Sequence, residues 1–342
     1  MKDYNNSVVF KKFIEDLVKA KKEMSLVNFL GAGVSISQGY PDWNSYVELL
    51  LNFWIFKLSD LTKISDTLMS EVELKDINFL RRINSIKISN KRKVDIVHHI
   101  IRKYCRTNDP IRTQEIYDEN LLMFEKYLFN EVAPFIPKNE IIDQLILLKG
   151  TFITTNYDNQ IEKSFKQKEG QFPNVIDTIL NYSIGIEYNS IIHLHGVPSS
   201  KPKNFISSSS SYESLYYKEP IKYRQKMNEL FQNKNEPVVL FVGCSMEEDE
   251  VLSILSIDNP NIKFYALMKY NMDEDEKNND SFFNEFISEY YLDNKNVEVI
   301  WYGDKYSDLP EFLSKKILSE IEQENQKTEI DLNEVRRILL GE

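Results

Sequence analysis

The chain has 342 residues, 42% of them hydrophobic, enough to bury a sizeable core but too short for three average domains. Its 53 acidic residues outnumber 42 basic ones, for a net charge of -11, which disfavours direct nucleic-acid binding, since that needs Lys and Arg to displace counterions from phosphates. Two cysteines, Cys105 and Cys244, cannot build a four-cysteine zinc site, and such sparse usage suits a reducing cytoplasm.

Val8 to Lys22 places Val9, Phe10, Phe13, Ile14, Leu17 and Val18 at helical spacing, with a basic last turn as a helix dipole prefers. Leu26 to Leu30 reads as a short buried strand, broken by Gly31-Ala32-Gly33-Val34-Ser35. Trp43 to Phe56 reads as a helix, with Pro41 and Asp42 as start signals. Residues from about 57 to 137 show no clear strand, and no glycine occurs from Tyr40 to Lys149. This stretch is expected to be a helical insertion. Its basic run, Lys87 to Lys93, reads as a solvated helix end or loop. Asn139 to Leu148 is a further helix, which Gly150 is expected to stop.

Strand and helix then alternate. Thr151 to Thr155, Val175 to Leu180, Ile191 to Leu194, Val238 to Val242, Ile262 to Met268 and Val297 to Trp301 read as strands. Helices are expected over Asp158 to Lys168, Tyr212 to Gln232 with a break at Pro220, Glu248 to Leu255, Phe282 to Tyr291 and Leu309 to Gln323. Ser207 to Ser211 and Asp273 to Asp280 read as loops. The pattern implies an α/β fold: a Rossmann-like doubly wound parallel sheet over residues 1–325, with the helical insertion at about 57–137 and no zinc module. In a tail of residues 326–342, Val335, Ile338 and Leu339 recur at the spacing of a docking helix. No apolar run approaches the ~20 residues needed to cross a bilayer, so no membrane contact is expected and the cytoplasm is the expected location.

A glycine turn between strand and helix lets backbone approach an anion. By itself Gly31-Ala32-Gly33 is equally a tight turn, because the third glycine of the dinucleotide fingerprint is replaced by Ile36. Three more polar segments follow predicted strands: Thr154-Thr155-Asn156-Tyr157-Asp158, Ile192-His193-Leu194-His195-Gly196 and Val242-Gly243-Cys244-Ser245. Open α/β sheets bind ligands at such strand ends. His195 can act as a general base near neutral pH, and Asn156 can both donate and accept. Each also has a structural alternative: Asn156 or Asp158 as a helix cap, His193 as a structural hydrogen-bonding residue, Cys244 as a small buried residue.

Together these segments resemble the sirtuin family. Gly31, Ala32, Gly33 and Ser35 match its G-A-G-x-S loop, and Pro41, Asp42 and Trp43 its Pro-Asp-aromatic step. Thr154 to Asp158 match its Thr-Gln-Asn-Ile-Asp run, His195-Gly196 its catalytic His-Gly pair, and Gly243 with Ser245 its late Gly-x-Ser. The chain departs from the family at Thr155, where the family has Gln, at Asn44, where it has Arg, and in lacking the zinc cysteines. With the Ser211-Tyr212-Glu213 segment, these features resemble zinc-less sirtuin-like NAD hydrolases of bacterial antiphage defence. The resemblance implies NAD as substrate without a metal, and cleavage of the nicotinamide–ribose bond by His195 and Asn156. It assigns Gly31, Ala32, Gly33, Ser35, Asp42, Trp43, Thr155, Asp158, Gly243 and Ser245 to NAD binding. It further implies gated NAD depletion in abortive infection, the gate being homo-oligomerisation or a separate regulatory protein. The alternatives are an NAD-dependent protein deacylase and a non-catalytic NAD or ADP-ribose sensing module.

Overall fold

The structure, a computed structural model, describes residues 4–61, 74–128, 139–181, 190–197, 205–218, 220–232, 234–246, 248, 254, 257, 259–271 and 280–327. The chain divides into two compact units. One comprises Met1–Gln38, Ile136–His193 and Arg224–Glu342, the other Gly39–Phe135 and Leu194–Tyr223.

The first unit holds a seven-stranded sheet. Its strands are β1 (Leu26–Leu30), β2 (Thr151–Thr154), β3 (Asn174–Ile176), β4 (Ser190–His193), β5 (Val238–Val242), β6 (Lys263–Lys269) and β7 (Val297–Gly303). The spatial order is β3-β4-β2-β1-β5-β6-β7, and all six pairings are parallel. This is the Rossmann-like α/β architecture. Every residue of β1, β2, β4 and β5 is buried, as parallel strands covered on both faces require. The register aligns His193 with Thr154, Thr154 with Leu30, and Leu30 with Val242. Four adjacent strands thus end on one row.

Helix α1 (Ser7–Lys22) is capped by Asn6, whose side chain accepts from the Val8 N–H, and it buries Phe13, Ile14, Leu17 and Ala20. These residues join one core with β1, β5 and α7 (Glu140–Leu148). Two expectations need correction here. The left-handed residue that ends α7 is Lys149, with φ 61°, and not Gly150. Gly150 instead marks a close approach, since a Cβ there would lie 2.8 Å from Asn28 Nδ2 and 2.9 Å from the Leu26 carbonyl oxygen. The strand expected over Val175 to Leu180 stops at Ile176, and Ile179–Asn181 form a 3₁₀ turn. Two exposed residues open that edge strand, so it has less apolar surface to bury than its sequence promised.

The second unit carries α3 (Trp43–Leu61), α4 (Leu74–Arg82), α5 (Asn90–Tyr104) and α6 (Pro110–Tyr127) around a core of its own. Ser89 and Asp109 cap α5 and α6 through their side chains. The serine run, expected to be a loop, starts a helix instead: Ser208 and Ser211 form a capping box for a short helix (Ser209–Tyr212), which continues as a π-helical turn over Glu213–Lys218. Pro220 opens the next helix (Pro220–Gln232), at the one end that tolerates proline. The helix expected over Glu248 to Leu255 lies mostly outside the described residues. So do the loop from Asp273 and the tail bearing Val335, Ile338 and Leu339. Among the described residues, no helix is long and apolar enough to cross a membrane.

Glu125 is an anomaly in this second core. It is 4% exposed, its Oε1 accepts from the Tyr46 hydroxyl at 3.3 Å, and its Oε2 has no partner among the described residues. Burial pushes its carboxyl from 4.5 up to about 8. Between those values the folded chain holds a proton that the unfolded chain has lost. The contribution of Glu125 to stability is therefore most favourable at low pH and falls as pH rises from 4.5 to about 8. The slope approaches about 1.4 kcal/mol per pH unit. Thermal melts between pH 5 and pH 8 should show this fall in the wild type and its loss in Glu125→Gln, which mimics the protonated form.

Candidate functional site

The four sequence segments follow β1, β2, β4 and β5, which stand side by side as β4-β2-β1-β5. The chain also reverses direction across the sheet at β1: β2, β4 and β3 extend to one side, β5, β6 and β7 to the other. That is the topological switch point at which open α/β sheets take their ligands.

The turn after β1 rests on the exit of β5. Gly31 N–H donates to the Val242 carbonyl at 3.0 Å, and Gly33 N–H to that of Gly243 at 2.9 Å. A Cβ on Gly31 would lie 2.5 Å from the Gly243 oxygen and 2.9 Å from Cys244 Sγ; one on Gly33 would lie 2.9 Å from the same oxygen. Gly243 itself has φ 68°, and a Cβ there would meet Val34 N at 2.7 Å. Backbone packing alone therefore demands these three glycines, before any ligand is considered. Ala32 and Ser35 lie on α2 (Ala32–Ile36), the short helix that the turn starts. Burial holds the Cys244 thiol well above its ordinary value, unlike a nucleophilic cysteine. Ser245 is exposed, and its hydroxyl reaches Glu248 Oε1 at 3.4 Å.

Asn156 ties the β2 exit to this turn. Its Nδ2 donates to the Gly31 carbonyl at 3.0 Å and to Ser35 Oγ at 2.9 Å. A carbonyl can only accept, so the amide cannot be flipped, and Oδ1 is left with no partner among the described residues. Ser35 Oγ donates in turn to Asp158 Oδ2 at 2.5 Å. Asp158 Oδ1 accepts from the Gln160 N–H at 2.9 Å, at the start of the helix Gln160–Glu169. The carboxylate is thus both buried and engaged at each oxygen, and burial raises its pKa against the lowering effect of Ser35 and Gln160. Thr155 is buried, with its N–H donating to the Leu30 carbonyl at 3.3 Å.

His193 lies beneath. Its Nδ1 is 3.1 Å from the Asn156 carbonyl, so Nδ1 carries a proton and donates; its Nε2 lies 3.0 Å from Glu162 Oε1. Burial lowers the pKa of this ring, but Glu162, the Asn156 carbonyl and Asp158 together raise it above the ordinary value. This histidine fastens the Asn156 backbone.

In the second unit, His195 is 3% exposed. Its Nε2 is 3.0 Å from the Tyr216 hydroxyl and its Nδ1 3.5 Å from that of Tyr212. Its carbonyl accepts from the Ile206 N–H at 2.9 Å. Asp42 caps α3: its Oδ1 accepts from the Ser45 N–H at 2.7 Å, which holds the carboxyl below its ordinary value. Trp43 stacks on Tyr46, with centroids 5.1 Å apart. Tyr216 belongs to no motif in the sequence; its spacing of four from Tyr212 is the one signal that could have found it.

A doubly wound parallel sheet with polar turns after its central strands defines a Rossmann-like α/β protein. More specifically, residues 150–300 match the family model of the SIR2-like domain, a stretch that includes Asn156, Asp158, His195, Gly243 and Ser245. Residues 150–300 are thus similar to a SIR2-like domain, and such a domain is compatible with NAD-related activity. Among the described residues, no group of three or more His, Cys, Asp or Glu side chains could hold a metal ion.

Gly243→Ala combines a positive φ with the contact at Val34 N. It should lower the thermal midpoint measurably, as calorimetry would read.

Proposed function

We propose that the chain is an NAD hydrolase that releases nicotinamide and ADP-ribose. The observation that carries this reading is the row of four adjacent strand ends: it gathers the glycine turn, the Asn156 loop and the Gly243 loop, and the chain enters the His195 turn from the same row. The SIR2-like match over residues 150–300 supports NAD as the class of ligand.

The glycosidic bond breaks through an oxocarbenium-like state, because nicotinamide leaves as a neutral base with the bonding electron pair. His195 takes a proton from the attacking water as the oxygen–C1′ bond forms, then releases it to solvent. Asn156 Oδ1 accepts from a ribose hydroxyl or the water, while its two N–H bonds keep the amide from turning. Asp42 and Trp43 serve the nicotinamide end, and Gly243 and Ser245 the adenosine end. A hydrolase that ran freely would exhaust its host's NAD. Activity is therefore gated by self-assembly or a separate regulatory protein, in keeping with NAD depletion during antiphage defence.

The test is product analysis by mass spectrometry after incubation with NAD, with and without the neighbouring gene's product. Nicotinamide and ADP-ribose should accumulate, and His195→Ala and Asn156→Ala should each lower the rate about 10²-fold or more. Loss of NAD only in the presence of an acyl-lysine peptide would make the chain a deacylase. Tight binding with no turnover would make it a sensing module.

A further inference from the structure

A base needs an orienting group as well as a lone pair. A neutral imidazole carries one N–H and one lone pair, and whichever nitrogen is held by a partner decides which one is left for the substrate. His195 has a phenol at each nitrogen, and both phenols come from one segment, the short helix and the π-helical turn that follows it. The two contacts are unequal. The Tyr216 hydroxyl at Nε2 stands at a full hydrogen-bond distance of 3.0 Å, whereas Tyr212 at Nδ1 is at the outer limit, 3.5 Å.

We propose that Tyr216 is the positioning residue of His195: its oxygen accepts from Nε2–H, fixing the tautomer that leaves the Nδ1 lone pair for the proton of the nucleophile. This rests on the reading of His195 as the base. It is the logic of a base held by a third group, with a neutral phenol in the place usually taken by a carboxylate. When Nδ1 gains its proton, the Nε2–H···O bond strengthens and the ring stays in place. Tyr212 fills the Nδ1 side until the nucleophile displaces it.

The surroundings hold Tyr216 for this role. Its ring packs edge-on against Tyr223 at 4.9 Å, and Tyr223 is 2% exposed. It also stacks with Tyr212 at 5.8 Å. Helix α5 anchors the segment's start: Asp95 Oδ1 accepts from Ser210 N–H at 3.2 Å and from its hydroxyl at 2.7 Å, and Lys91 Nζ sits 3.5 Å over the Tyr212 ring. A π-helical turn is an uncommon conformation that recurs at functional sites. Here it carries the residue that touches the base.

The experiment has two readouts. Nitrogen-15 NMR of imidazole-labelled, ligand-free chain reads the tautomer without any turnover. The Nε2–H form should dominate His195 in the wild type and in Tyr212→Phe, and should lose its dominance in Tyr216→Phe. Steady-state NAD cleavage should then show kcat lowered about tenfold or more in Tyr216→Phe, part of the ~10²–10⁴ supplied by a base, with KM within about twofold. An unchanged tautomer, or an unchanged kcat in an active enzyme, overturns the proposal. A wild type that shows the Nε2–H form, lost in Tyr216→Phe, but never cleaves NAD refutes the hydrolase reading while leaving the orienting bond established.

Discussion

The close seating of the β1 turn on the exit of β5 is the constraint on which the site depends. Three glycines meet there backbone to backbone, at distances that no side chain could share. Because Gly31 and Gly33 spend their N–H groups on the carbonyls of Val242 and Gly243, the turn is braced by the sheet itself. Its shape does not wait for a ligand. A pre-formed turn of this kind removes ordering cost from binding, which is how a rigid scaffold turns contacts into affinity.

From that seat the order spreads along hydrogen bonds. The Gly31 carbonyl and Ser35 hydroxyl hold the Asn156 amide, Asp158 holds Ser35, and His193 with Glu162 holds the Asn156 backbone. Each polar group here is buried or half-buried and carries a named partner, the condition under which a buried network rigidifies a site. Two acceptors, Asn156 Oδ1 and the buried Glu162 Oε2, are left over among the described residues. In the other unit, the hydroxyls of Tyr216 and Tyr212 stand at the two ring nitrogens of His195.

Much of this was legible in the sequence, because the strands are short, apolar and buried on both faces. Leu26–Leu30 and Val238–Val242 were read to the residue. The polar segments were legible for the same reason: each breaks abruptly after an apolar run, and the register explains why, since four runs end on one row. What escaped was set by tertiary contact. Lys149 takes the left-handed position because Gly150 is committed to β1. The serine run became a helix start through side-chain capping, which composition does not reveal. Tyr216 and Glu125 sit among ordinary helical residues, and only packing shows that one touches His195 and the other buries an unpartnered carboxyl oxygen.

NAD is expected to bind along the edge formed by the ends of β4, β2, β1 and β5. A crystal structure of the His195→Ala chain with NAD tests it most directly. NAD lying over those four strand ends, with a ribose hydroxyl or water on Asn156 Oδ1, is the predicted result. NAD bound elsewhere, or an edge that stays closed to it at saturating concentration, would contradict the account.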